Sequence, residues 1–357
     1  MRKVLPAVVI GLGAFLLTMG LLLKFVAYPR LAVVPLDMNT QAVVVDDDAS
    51  FFDADNVKPA TGKLTTISTV IGDPQASEDA SEQTGRKVAV WELGQKSDNN
   101  DDNYPMSASL ERVAFDRTTG EAINCCEENV DGTQVTHEGL VVKFPFDTQP
   151  VDTYRWWDGN TKAAYPVKYE GEDEVQGMGV YKFTTDVPLT KYATRELPDY
   201  ALGLKDAGPI QADRYYSNKR TFYVQPATGV IIDRVEEQHQ EFRAPGAETL
   251  DALDTTSRFT QETVDANVEE YKSKGALLAA VNGPASYAMI VLGVLLLLAG
   301  VLLSLVLGRR RREDAAHAQP AYAGTPAYYD SPAHGDAPAP VDPDQDTVRR
   351  SDLRRDG

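Results

Sequence analysis

"ASYAMIVLGVLLLLAGVLLSLVLGRRRR", residues 285–312, decides the architecture of this chain. Ala285 to Gly308 carries no charge. At about 1.5 Å per helical residue, some twenty residues reach across the roughly 30 Å of a hydrocarbon core. The run reads as a transmembrane helix, and four consecutive arginines, Arg309 to Arg312, close it. A second apolar run, Val4 to Val26, lies at the other end of the chain and is interrupted only by Lys24. It is longer than the apolar part of a cleavable signal, and Phe25-Val26-Ala27 is a poor small-x-small cleavage site, so it reads as an uncleaved anchor.

The basic residues set the expected orientation. Arg2 and Lys3 precede the first run and Arg309 to Arg312 follow the second, which predicts a two-pass plasma-membrane protein with both termini cytoplasmic. Lys24 is expected to snorkel to the interface. The segment between the anchors is then extracytoplasmic. Residues 31–308 hold 23 basic and 44 acidic groups, a net charge of −21. Such a charge keeps a domain soluble and excludes nucleic acid and anionic surfaces as its natural partners.

Four regions follow: residues 1–27 with the first helix, 28–284 as a mainly β domain, 285–308 as the second helix, and a cytoplasmic tail, 309–357. The tail is rich in Pro, Ala, Gly and Asp, has few aliphatic residues to bury, and reads as disordered, Tyr322, Tyr328 and Tyr329 included.

Between the anchors the apolar pattern has the period of strands. "GKLTTISTVIG" (62–72), "RKVAVWELGQ" (86–95), "GVYKFTTDV" (179–187), "KRTFYVQP" (219–226) and "GVIIDRVEEQHQEFR" (229–243) alternate apolar with polar residues, as antiparallel strands with one wetted face do. Thr119-Gly120 and Thr228-Gly229 mark two hairpin turns, where glycine supplies a positive φ. "RVAFDRTTGEAI" (112–123) and "TFYVQPATGVII" (221–232) match in outline. That is the spacing of two repeated halves, about 40–130 and 163–260, whose sheets would face each other, or of two unrelated hairpins. "LTKYATRELPDYAL" (189–202) is predicted to be a short helix in the second half. From Thr260 the period changes: Val264, Val268, Tyr271, Gly275 and Leu278 recur at helical spacing and predict an amphipathic helix over 260–282, broken from the second anchor at Gly283-Pro284.

The fold class is therefore a membrane-anchored, mainly β (α+β) ectodomain of antiparallel sheets between two transmembrane helices. Several stretches resemble one family. "YPRLAVVPLD" (28–37), "DRTTGEAINCC" (116–126), "GLVVKFPFDTQPVDTYRWWD" (139–158), "YVQPATGVIID" (223–233) and "TQETVDANVEEYKSKGALL" (260–278) together resemble the actinobacterial membrane proteins called the porin PorA family. The resemblance covers most of residues 1–308. It implies an actinobacterial cell-envelope protein with two spans and an ectodomain, and it carries over no catalytic or binding residues.

Little in the sequence points to chemistry. Only His137 and His239 lie outside the tail, and there is no nucleophile elbow, P-loop or zinc-protease motif. No enzymatic activity and no cofactor are expected. Adjacent Cys125 and Cys126 cannot form a C-x-x-C redox motif, and outside the membrane they are expected as a vicinal disulfide. Acidic stretches at Asp46-Asp47-Asp48, with Asp53 and Asp55, and from Asp98 to Asn103 lack calcium-loop spacing and read as solvated loops, so no metal is expected.

The candidate ligand-binding residues are aromatic: Phe144, Phe146, Tyr154, Trp156 and Trp157, between the two halves. They serve either as core or as a wall facing a ligand. Neighbouring strand residues point to opposite faces, so Trp156 and Trp157 cannot share one core, and one is exposed unless the sheet is covered on both sides. The function expected first is binding or transfer of an envelope lipid or glycan. The alternative is a pore-forming or scaffolding homo-oligomer, suggested by the family and by the small residues Gly293, Ala299 and Gly300.

Overall fold

Residues 4–31 form a nearly continuous apolar rod because no charged residue interrupts them until Lys24. In the computed structural model, which describes residues 4–53, 56–99, 106–205 and 208–317, α1 (Leu5–Leu22) passes through a π-helical turn into α2 (Tyr28–Leu31). The tail tyrosines, Asp55 and residues 100–103 lie outside the described residues.

The strands follow. β1 (Asn39–Asp53) and β2 (Lys58–Gly72) form a long hairpin. α3 (Pro74–Thr84) starts on Asp73, whose side chain accepts from the Ala76 N–H, and stops at Gly85, where φ is +66°. Next come β3 (Val88–Asp98), β4 (Ser107–Asp116) and the short β5 (Asn129–Val130) and β6 (Thr133–Gln134). The second series is β7 (Arg155–Asp158), β8 (Ala163–Val175), β9 (Met178–Leu197), β10 (Ile210–Gln225), β11 (Val230–Arg243) and β12 (Leu250–Phe259). α4 (Gln261–Asn282) and α5 (Pro284–His317) complete the chain.

Where two facing sheets were expected there is one antiparallel sheet of 12 strands, in the order β6-β5-β4-β3-β2-β1-β12-β11-β10-β9-β8-β7. Each series meanders outward from the centre, where Val44 of β1 pairs with Phe259 of β12. That pairing brings both apolar helices to the same end of the sheet.

The stretch read as a helix over 189–202 is strand as far as Leu197, followed by a single 3-10 turn, Asp199–Leu202. The pairing of Ala193 to Leu197 with Ile210 to Arg214 overrides a weak local helical preference, and Pro198 ends the strand. The region expected to be disordered from 309 begins as a continuation of α5, helical to His317.

The ends of the sheet are joined. Phe115 of β4 bridges to Ala122, Glu121 bridges to Leu140, and Leu140 bridges in parallel to Trp156 of β7. The Leu140 N–H donates to the Arg155 carbonyl (2.8 Å) and the Trp157 N–H to the Leu140 carbonyl (2.9 Å). The connector between the halves is thus the stave that closes the sheet into a ring at the helix-bearing end. Both predicted hairpin turns press on it: a Cβ at Gly120 would lie 2.4 Å from the Lys143 carbonyl oxygen, and one at Gly229 2.1 Å from that of Phe144. Glycine is required at both turns by positive φ, +75° and +70°, and by this close approach.

The core lies on both faces of the sheet, which is why "VAVW" in β3 is buried throughout instead of alternating. Val88, Val90, Ala114 and Ile123 pack under α3, with Cys125 and Cys126 at the margin. Ala89, Trp91, Val113, Phe115 and Trp157 form a second cluster on the other face. A third holds Leu140, Phe144, Trp156, Val167, Phe183 and Phe222. Trp156 and Trp157 do point into different clusters, yet neither is exposed (7% and 5%), because β7 is covered on both sides.

Thr260 caps α4, which buries Val264 and Val268 against Val180 and Ile232. α1 and the part of α5 up to Ser304 pack closely. A Cβ on Gly13 would lie 2.7 Å from the Leu297 nitrogen, and one on Gly300 2.5 Å from the Ile10 side chain. Gly293 and Gly300, read in the sequence as contacts between copies, are spent on this pairing within the chain, whereas Ala299 is exposed. Lys24 does not extend into solvent: its Nζ donates to the Asn282 carbonyl (2.8 Å) at the end of α4. Both helical stretches, Leu5–Leu31 and Gln261–Arg310, are long and apolar enough to cross a membrane, and little of either apolar segment is buried within the chain.

Candidate binding site

A cavity of about 530 Å³ lies between the concave face of the sheet, α4 and residues 31–38. Alternation along the strands builds its wall: Thr40 and Ala42 of β1, Ser68 and Val70 of β2, Trp91, Leu93 and Gln95 of β3, and Ser109 and Glu111 of β4 all face inward. Asn267, Tyr271, Lys274 and Leu278 of α4 close the opposite side. Leu31 and Leu278, where the chain nears its apolar helices, also line it.

The connector supplies the chemistry. Lys143 is buried, at 5% exposure. Its Nζ donates to the Phe144 carbonyl and sits 4.0 Å from the centroid of the Phe146 ring. No carboxylate lies within ion-pair distance of it among the described residues. Burial holds its ammonium down to about 7, only partly opposed by the charge of Asp116. Trp91 lines the same cavity, and its Nε1 is buried without a hydrogen-bond partner.

Glu111 also faces the cavity but is already engaged. Its Oε1 accepts from Trp157 Nε1 (2.6 Å) and pairs with His137 Nε2 (2.8 Å). His137 Nδ1 lies 3.2 Å from Glu128 Oε1, close enough for charge attraction although not aligned for a hydrogen bond. Burial alone would discharge this ring, but Glu111 and Glu128 outweigh it and hold its pKa up to about 9. The imidazolium is therefore the anchor of a structural network under β7. Asp158, at the end of β7, is held in the same manner by Arg220 (2.7 Å) and the Tyr216 hydroxyl (2.9 Å).

Of the five aromatic residues singled out in the sequence, Phe146 and Trp156 line the cavity. Phe144 does not: it stacks on Phe183 at 4.8 Å between ring centroids, deep in the core. Tyr154 packs on Phe144, its hydroxyl accepting from the Gln149 N–H (3.0 Å), and Trp157 faces the His137 network. Reasoning from sequence missed Lys143, Trp91 and Glu111. The one available signal was a lysine inside the otherwise apolar "GLVVKFPF" (139–146).

Cys125 and Cys126 are disulfide-bonded to each other. The Asp46-Asp47-Asp48 run forms an irregularity in β1, and Asp46 Oδ2 accepts from the Thr255 hydroxyl and the Thr256 N–H (both 2.7 Å). His239, Glu241 and Asp251 bring ligand-type atoms within 4.8 Å of one another. His239 already pairs with Glu241 (3.3 Å) and Asp254 (3.1 Å), so the group reads as a surface ion-pair network.

Comparison with known proteins adds a family. A family model described as Porin PorA matches residues 5–302. A protein named Porin PorA from Corynebacterium amycolatum is 24% identical over 303 residues, covering 66% of this chain and 77% of that protein. A second Porin PorA, from Corynebacterium resistens, is 24% identical over 416 aligned positions, covering 89% of this chain and all of that protein.

Proposed function

We propose that this chain, which belongs to the Porin PorA family, is a non-enzymatic envelope membrane protein that works as a pore-forming oligomer. The observation that carries the reading is a family match spanning both apolar helices and the whole sheet. The sheet itself is not the wall of a membrane channel. Its outer face carries charged side chains, among them the exposed Lys219–Glu237 pair, where a lipid-facing band would need apolar residues. A pore would instead be lined by helices from several copies. The outer faces of α1 and α5 supply the apolar surface for that assembly, with Leu12, Phe15, Leu295 and Leu298 exposed on the single chain. The ectodomain then lies outside the plasma membrane with both termini inside, as the arginines direct. Native mass spectrometry and cross-linking in intact membranes test this: a discrete oligomer is expected, and monomer alone would contradict it.

One observation favours a second reading, in which the ectodomain binds an envelope lipid. A mostly apolar cavity of about 530 Å³ beside two membrane-directed helices has the size and place for an acyl chain. A glycan suits it less, because Trp156, although it lines the cavity, is only 7% exposed, and Trp157 is buried in a core cluster.

A further inference from the structure

We infer that the cavity between the sheet and α4 takes a single-chain amphiphile with an acidic head group, carboxylate or phosphate, whose charge is met by Lys143. The inference rests on the lipid-binding reading and adds to it the class of ligand and the residue that selects it.

Three observations converge. The first is an ammonium out of water with no carboxylate in ion-pair contact among the described residues: Lys143 is 5% exposed, its Nζ has a backbone carbonyl and an aromatic face as neighbours, and Asp116 acts on it only through its charge. A buried cation that lacks a counter-charge costs several kcal/mol, and a bound anion would remove that cost. The second is a further donor in the same wall, the Trp91 indole N–H, which has no acceptor. Two carboxylates share the cavity and both are engaged elsewhere: Glu111 with Trp157 and His137, and Glu270 with Lys274 (2.9 Å). The third is the remaining lining, in which Val34, Met38, Val70, Leu93 and Phe259 offer a surface suited to hydrocarbon. Two donors and an apolar trough match an acid group on a chain. They do not match a choline or ammonium head, which would meet Lys143 with like charge. The ligand must also enter against an acidic protein of net charge −18, so the selectivity has to be local and not a matter of long-range steering.

The test uses the full-length protein in amphipol and a photoreactive palmitate carrying a diazirine near the chain end, with labelled peptides mapped by mass spectrometry. Saturable labelling of cavity peptides is expected, displaced by palmitate or lysophosphatidate at least tenfold more effectively than by hexadecanol or lysophosphatidylcholine. The better of the two acids identifies the head group. Lys143→Met should weaken palmitate at least tenfold and bring it level with hexadecanol, since a charge-assisted hydrogen bond is lost. Ala42→Phe fills the trough without touching Lys143 and should abolish labelling with melting temperature unchanged. Equal displacement by palmitate and hexadecanol on the unaltered protein would overturn the role of Lys143, and labelling that Ala42→Phe does not reduce would overturn the site. Either failure leaves oligomer mass and conductance untouched, so it is separable from failure of the pore-forming reading.

Discussion

Gly13 of α1 and Gly293 of α5 meet backbone to backbone: a Cβ on Gly293 would lie 2.8 Å from the Gly13 carbonyl oxygen and 2.5 Å from the Leu17 nitrogen. Because the obstructing atoms are main chain, no side chain can move aside to admit a larger residue. Gly293→Val should therefore separate the helices and cost about 1–3 kcal/mol, read as a melting temperature several degrees lower in detergent. If the glycines served contacts between copies instead, the variant would change oligomer mass and leave the melting temperature of the single chain alone.

The two adjacent tryptophans make a second prediction. Each fills its own core cluster, so Trp156→Ala and Trp157→Ala should cost similar amounts, about 3–5 kcal/mol each. Trp157→Ala should also lose a little more than packing alone, since its Nε1 donates to Glu111. Thermal melts of the two variants check this, and a loss below about 1 kcal/mol for either would show that one face of β7 is open.

Stability should depend on pH through two buried groups of opposite sign. The His137 ring titrates near 9 in the folded protein against an ordinary 6.5, so its contribution is fully present below 6.5 and is lost as pH rises through 9. Lys143 is held near 7 against an ordinary 10.5, so over that interval the unfolded chain binds the extra proton and stability gains as pH rises. Between 7 and 9 the two effects oppose. Lys143→Met should thus show a steeper loss of melting temperature from pH 6.5 to 9 than the unaltered protein, and His137→Gln a shallower one. Identical slopes for all three would refute the assignment.

Much of this was legible in the sequence, and what was not has a physical reason. The two apolar rods, the glycine turns at Gly120 and Gly229, and the change to helical period at Thr260 are local signals, and the structure places each where its pattern does. The closure of the sheet through Leu140 depends on which distant strands meet, and single bridges leave no periodicity to read. The strand at 189–197 is set by its pairing with β10 and not by its own residues. Burial of both tryptophans required a layer on each side of β7, which the alternation of one strand cannot reveal. The cavity is less legible still, since Lys143, Trp91 and Leu278 approach only through the ring.

Orientation can be checked at the exposed end of the sheet remote from the helices. Tyr200 is 62% exposed, and the two cysteines of the chain are bonded to each other, so Tyr200→Cys introduces a single reactive thiol. An impermeant maleimide should label it in intact cells. Labelling only after lysis would place the sheet in the cytoplasm.

Assembly of a pore from the helices of several copies is checked by planar-bilayer recording of the purified full-length protein. Stepwise conductance is expected from the unaltered protein and should be strongly reduced in Gly293→Val, whose helix pair is pushed apart. An unchanged bilayer at every applied voltage, with protein shown to be inserted, would contradict the account.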